Sequence, residues 1–219
     1  MFLRFLPKPD SPCIYLETNN GPDGCAIYFK TSKFVKIRKT CRVLRAWGAR
    51  SNQVIFAFAL RHKKSGKEIL VATTHLKAKL GKLQTSFRKE QAKDIHSWLE
   101  AIQGSRPIIL AGDFNGVPSE PFFSTIVGKQ SNPLMSSYSI QESDSNKLEY
   151  TTWKIRDTGE QKHVLDYIFH SPSFKTVATL KMPSEKDLGI EKLPSAKFPS
   201  DHMSLVADIK MAIDDDMII

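Results

Sequence analysis

The run PIILAG at residues 107–112 is almost uninterrupted apolar sequence, and it follows directly on a segment with helical periodicity. A short apolar run of this kind suits a strand buried on both faces of a sheet. Between Ser86 and Gln103, the residues Phe87, Ile95, Trp98, Leu99 and Ile102 fall near one stripe, with Lys89, Glu90, Lys93 and Glu100 elsewhere. That spacing predicts an amphipathic helix, and Gly104 can stop it in the left-handed cap conformation. A helix delivered straight into a buried strand is an α/β signature. Further strands are expected at GCAIYFK (24–30), QVIFAFAL (53–60), EILVATTH (68–75), VLDYIF (164–169), FKTVATLKM (174–182) and MSLVADIKM (203–211). The polar RHKKSGK between the second and third of these has the length of a hairpin loop. FNGVPSEPF after Asp113 reads as a loop with a short helix from Ser119, and residues 128–148 give no element. Neither a repeat nor a linker divides the sequence, so residues 1–219 read as one domain.

Composition narrows the classes further. With 41% hydrophobic residues and 13 Phe there is material for a core, which excludes a disordered chain. No apolar run approaches the about 20 residues of a membrane helix. Cys13, Cys25 and Cys41 are odd in number and lack metal spacing, so they read as thiols in a reducing compartment. The formal charge of +9 points to an anionic partner. Residues 1–50 hold ten Lys/Arg against three Asp/Glu, Lys77–Lys93 adds a second basic cluster, and the tail at 214–216 is acidic. The opening MFLRFLPKPDSP is too short and too interrupted by Pro7 and Pro9 for a signal peptide. It reads as mature chain, or as a chain that begins in the middle of a longer one.

Chemistry-bearing side chains recur at strand ends. His75 ends VATTH, Asp113 and Asn115 follow PIILAG, Asp166 lies in VLDYIF, and Asp201 with His202 precedes MSLVADI. Loops at one edge of an α/β sheet converge, so residues distant in sequence can share a site. Magnesium takes hard oxygen ligands and needs only one or two protein carboxylates beside a substrate phosphate. Asp113, Asn115 and Asp201 can supply or order such a shell. Asp113 is the candidate to align or deprotonate a water, with Asn115 fixing that water's orientation. His202 is the candidate to contact a scissile phosphate while Asp166 holds its other nitrogen. His75, Lys77 and Lys79 alternate, so in an extended segment they share a face that can hold phosphate.

Each residue also has a plainer reading. Asp113 and Asn115–Gly116 suit an ordinary turn, and Asp201–His202 a cap. Lys79 and Lys82 suit a solvated loop, and Trp153 is equally a base-stacking platform or a partly buried core residue. Asp166 is harder to dismiss, because a carboxylate within an apolar strand needs a partner.

THLKAK (74–79), AGDFNGVPSE (111–120), YTTWK (150–154), LDYIF (165–169) and LPSAKFPSDHMSLV (193–206) together resemble successive motifs of the endonuclease/exonuclease/phosphatase family. FLPKPDSPC (5–13) and NNGPDGCAIYF (19–29) share the resemblance, and the details NNGPDG, YTTWK and LPS…FPSDH narrow it to the deadenylase-like branch. The resemblance implies an α/β two-sheet sandwich flanked by helices. It implies that Asp113 and Asn115 are a catalytic pair, that Asp166 orients the catalytic His202, and that Asp201, with Asp113, lies at the metal. His75, Lys77 and Lys79 would then face substrate phosphates. Lys79 stands where an arginine is usual in that branch, which keeps the charge and loses the bidentate fork.

The implied cofactor is magnesium, or manganese in its place. The implied activity is removal of the 2′-phosphate of NADP(H), with 3′-exonucleolytic attack on poly(A) RNA as the alternative. A third reading is a nucleotide- or RNA-binding chain without turnover. It arises because the family pattern also has an early asparagine-bearing strand and a Gln-Glu motif supplying the main metal ligand. Neither stands in this sequence, where Glu17 has a different context, so the first strands of the sandwich are expected to be missing. The cytoplasm is the expected compartment, or the mitochondrion if a longer form carries a transit segment.

Overall fold

The computed structural model describes the backbone of residues 13–17 and, with side chains, residues 24–128, 133–139, 144 and 147–211. The expected buried strand is β6 (Ile108–Asp113), every residue of which is buried. It occupies the interior of a six-stranded mixed sheet ordered β3 (Phe34–Ala46), β4 (Ala49–His62), β5 (Glu68–His75), β6, β10 (Asp166–His170), β7 (Met135–Ser136). Its neighbours explain its composition. β5 runs parallel to it and β10 antiparallel, so both edges are paired. Side chains on both faces are covered, and nothing polar survives there until Asp113.

The crossover between β5 and β6 is α1 (Lys82–Gln103), one turn longer at its start than the apolar stripe suggests. Its buried face comprises Arg88, Gln91, Ala92, Ile95, His96, Trp98 and Leu99. The first two are polar, which is why the apolar pattern alone places the helix start too late. α2 (Pro121–Val127) opens with proline in its first turn, where the missing N–H is no loss, and packs against α1.

β3 and β4 form a long hairpin that the apolar pattern does not announce. Most of β3 is exposed and basic, as befits an edge strand that must not recruit another chain. β4 is buried without a break from Val54 to Leu60. β2 (Gly24–Tyr28), paired with β1 (Cys13–Glu17), lies against β4 and β5, while α1 lies against β3. Three short ribbons complete the second layer and the rim: β1–β2, β8 (Thr152–Arg156) with β9 (Gly159–His163), and β11 (Phe174–Thr179) with β12 (Ala207–Met211). The β8–β9 ribbon is also absent from the sequence-based expectation, and β12 starts at Ala207, after an irregular stretch from Met203. A single-turn helix, α3 (Glu185–Leu188), carries a capping box from Ser184 and Asp187. Cys25 is buried and Cys41 exposed, both as thiols, and the side chain of Cys13 lies outside the described residues. So do residues 1–12, the side chain of Glu17, most of the NNGPDG turn and the acidic tail.

Gly112 shows how closely β5 and β6 approach. A Cβ there would stand 2.0 Å from the carbonyl oxygen of Thr74, a backbone atom that cannot swing aside. Gly112→Ala is therefore expected to destabilise the fold by about 3 kcal/mol or more. Urea denaturation measures this directly; an unchanged midpoint would show that the strands can part at no cost.

Candidate active site

The site is built by strand register. His75 on β5 is the cross-strand partner of Asp113 on β6, and Asp166 on β10 is the partner of Asp113 from the other side. Three adjacent strands thus set His75, Asp113 and Asp166 in one row, at the spacing of direct cross-strand neighbours. Nε2 of His75 stands 3.5 Å from Oδ2 of Asp113. The row continues through backbone bonds: the N–H of Leu76 donates to the carbonyl of Asp113, and that of Phe114 to Leu165.

His202 arrives from the last loop, and β8 holds that loop in place. The N–H of Met203 donates to the carbonyl of Thr151, and Oγ1 of Thr152 donates to the carbonyl of Asp201. Nδ1 of His202 then meets Oδ2 of Asp166 at 2.8 Å. With Asp166 fully buried, this pairing assigns the ring proton to Nδ1 and turns Nε2 outward. Burial pulls the His202 pKa down, but the bond to Asp166 and the charges of Asp166 and Asp113 outweigh it and raise it above the usual imidazole value. Asp113 is also raised, first by burial and then by Asp166 opposite it. The result is a carboxylate more basic than an ordinary one beside an imidazole more readily protonated than an ordinary one, the pattern of an acid–base site.

One donor atom from each of Asp113, Asp166 and His202 falls within 4.8 Å of the others. Oδ1 of Asp166 is buried and has no hydrogen-bond partner among the described residues. Orphaned buried carboxylate oxygens are costly, and a cation or its water is the usual remedy. The donor set therefore fits a divalent ion with a preference for oxygen. Asp201 is placed differently. Its Oδ2 accepts from Nζ of Lys154 at 2.6 Å, and it stands outside the group formed by Asp113, Asp166 and His202. Burial raises the Asp201 pKa, yet the Lys154 bond and charge more than offset this and lower it.

Lys154 is a residue that the motifs alone do not single out. Its Nζ also lies 3.5 Å from Nε2 of His202, so a cation faces the outward nitrogen of the imidazole. It is the last residue of YTTWK, and strand alternation sets it on the face opposite to Trp153. Trp153, read earlier as a base-stacking candidate, is instead core. It is buried with Tyr150, Leu188 and Leu193, its Nε1 donates to Glu160, and Lys162 and Lys192 stand 4.2 and 4.6 Å from its ring centroid. Those contacts leave its ring unsuited to a stacked base.

The segment after His75 also departs from the extended form. β5 ends at His75, and Lys79 adopts φ 81°, so Lys77 and Lys79 do not share a strand face with it. A buried arginine holds this turn. Arg88 donates from Nη1 to the carbonyls of Lys77 (3.0 Å) and Lys79 (2.9 Å). Its Nε and Nη2 donate to Glu120, and Nη2 also donates to Thr85. Gln91 accepts from the N–H of Lys77 and donates to Ser51 and Gln53. Asn115, at φ 51°, donates its side-chain amide to the carbonyl of Leu76 and its backbone N–H to Oδ1 of Asp113. It therefore couples the two loops that border the row and orients Asp113. The signal for Arg88 and Gln91 was present in the sequence: they stand seven and four residues before Ile95, on the same helical face.

The sequence model of the endonuclease/exonuclease/phosphatase family matches residues 2–202, and the chain belongs to that family. Within it the chain is a homologue of the nocturnins. It is 41% identical to nocturnin of Drosophila melanogaster, over 94% of this chain and 35% of that protein. The chain spans about half, or less, of the length of the curated nocturnins it matches. Its structure superposes on the human nocturnin catalytic domain with bound sulfate anion at a TM-score of 0.77 and 31% identity, covering 92% of this chain and 72% of that one. It also superposes on ANGEL2, a 2′,3′-cyclic phosphatase in complex with adenosine-2′,3′-vanadate, at a TM-score of 0.70 and 26% identity, covering 90% and 73%. The expected α/β sandwich is thus the fold of this chain.

Proposed function

We propose that this chain hydrolyses a phosphomonoester on a nucleotide ribose, the 2′-phosphate of NADP(H), with magnesium, or manganese in its place, as cofactor. The observation that carries this reading is the Asp166–His202 pair at 2.8 Å, set beside Asp113 by strand register and faced by Lys154. Asp113 takes the proton of the attacking water. Asn115, anchored to Leu76, holds that water and Asp113 in line. His202, protonated and steadied by Asp166, donates from Nε2 to a phosphate oxygen, and Lys154 adds a second cation. The new P–O bond forms from the water oxygen as the bond to the ribose 2′-oxygen breaks; that oxygen takes a proton from solvent water, and Asp113 returns its own to solvent. Asp113 and Asp166 would hold the divalent ion, whose chemistry is to offset charge on the phosphate oxygens, while Asp201, paired with Lys154, borders it. His75, Lys77 and Lys79 border the same end of the sheet and are assigned to the remaining phosphate charge.

The ribose 2′-position is favoured by the identity to the nocturnins and by the likeness to a phosphatase acting at ribose 2′ and 3′ oxygens. The alternative substrate, poly(A) RNA attacked from its 3′ end, uses the same displacement on a diester. Thiols at Cys25 and Cys41 suit a reducing compartment such as the cytoplasm. The test is one incubation with Mg²⁺ offering NADPH and end-labelled poly(A). Orthophosphate and NADH with RNA of unchanged length support the proposal. A ladder of shortened RNA with intact NADPH assigns the chain to the deadenylases. Binding of either without product assigns it to the nucleotide binders.

A further inference from the structure

The seam between the β3–β4 hairpin and α1 carries a surface that hydrolysis does not use. At the hairpin tip, Trp47 and Gly48 have φ 49° and 80°, the signs of a primed two-residue turn. Such turns favour Asn, Asp or Gly; a bulky aromatic there is strained. Trp47 is nevertheless 58% exposed, resting edge-on against Phe87 of α1 with ring centroids 5.4 Å apart. One helical turn before Phe87 stands Leu83, 65% exposed, and Leu80, 75% exposed, precedes the helix. Three large apolar side chains therefore protrude where solvent alone would favour polar ones.

Unpaired cations surround them. Among the described residues, Arg45, Arg50, Lys82 and Lys89 make no side-chain ion pair, while Glu90 and Asp94 of α1 are already taken by Lys93 and Arg42. Arg45 and Arg50 are direct cross-strand partners, a like-charge juxtaposition that destabilises a hairpin unless an anion lies across it. These two arginines, with Cys41, Arg42, Val43 and Trp98, line an open hollow of about 330 Å³. Protruding Trp and Leu within a ring of Lys and Arg is the chemistry of the membrane–water interface, where aromatic and aliphatic tips enter the acyl boundary and cations meet anionic headgroups. Exposed leucines offer a base neither a hydrogen bond nor a ring to stack on, whereas they gain from hydrocarbon.

We propose that this seam docks the protein on an anionic phospholipid surface, with Trp47, Leu80 and Leu83 inserted and Arg45 and Arg50 holding headgroup phosphate. The test is sedimentation of the whole chain with vesicles of phosphatidylcholine alone and with about a third phosphatidylserine. Binding to the anionic vesicles is expected to exceed that to the neutral ones by about tenfold or more. Trp47 is the exposed member of the three tryptophans, with Trp98 and Trp153 buried, so its emission reports insertion. It should shift to the blue on anionic vesicles and be quenched by brominated acyl chains. Leu80→Ser with Leu83→Ser, which keeps the Trp47 reporter, should weaken that quenching and sedimentation about tenfold, and Arg45→Gln with Arg50→Gln should weaken sedimentation about thirtyfold. Both pairs should stay folded, the arginine pair with a melting temperature equal to or slightly above the parent's, and keep the turnover of soluble NADPH, so this test and that of the hydrolysis are read separately. Equal binding to both vesicle types, or undiminished binding by either pair, overturns the proposal. Tight association with poly(A) that both pairs lose, without bromine quenching in the parent, assigns the seam to nucleic acid instead.

Discussion

Replacing Asp113 by asparagine is expected to lower turnover about a thousandfold while leaving the melting temperature unchanged or slightly raised. The carboxylate is 6% exposed and stands opposite Asp166, and burial together with that neighbour raises its pKa. Such a group takes a proton better than an ordinary aspartate, and an amide cannot take it at all. The substitution is isosteric, and the asparagine side-chain oxygen still accepts the N–H that Asn115 donates to Oδ1. The stability side follows from the same shift. A carboxylate whose folded pKa is raised is held ionised at neutral pH at a cost to the fold, so removing the charge relieves repulsion with Asp166. Steady-state kinetics and calorimetry on the same preparation check both halves. Loss of the fold with loss of activity would mean that Asp113 is the turn residue its Gly- and Pro-rich context also allows.

The second large effect concerns a residue outside the reacting row. Arg88 is fully buried and spends all its N–H donors on Glu120, Thr85 and the carbonyls of Lys77 and Lys79. Arg88→Met removes them all and strands Glu120, which is largely enclosed. Breaking such a pair by removing one partner costs about 3 kcal/mol or more. Urea denaturation should show that loss, and limited proteolysis should show new cleavage between Lys77 and Lys82 as the turn is released. Arg88→Lys retains charge without the fork and is expected to fall between the two. A Met variant as stable as the parent would show that the turn is held by other contacts.

Much of the site was legible because strand ends announce themselves. PIILAG could be read as a buried strand, and a carboxylate at its end had to be in a turn or a site. Asp166 stood out because an apolar strand tolerates no unpaired acid, and the partner it needed proved to be His202. Lys154 was not legible, because alternation separates it from Trp153 without saying which face meets His202. That choice is fixed by where β8 packs, a long-range fact. Arg88 and Gln91 were missed because a polar residue on a helix looks solvated until the strand and loops around it are known. β3 was hidden for the same reason: an edge strand must look like charged surface, and no local pattern separates the two.

Asp113 and Asp166, with His202 beside them, form a site for one divalent ion. Titration with Mn²⁺, following the free ion by electron paramagnetic resonance, tests this without depending on any substrate. A single ion should bind per chain, with affinity falling about tenfold or more in Asp113→Asn while the fold is kept. Binding of equal strength in parent and variant, or no binding by the parent at millimolar Mn²⁺, would contradict it.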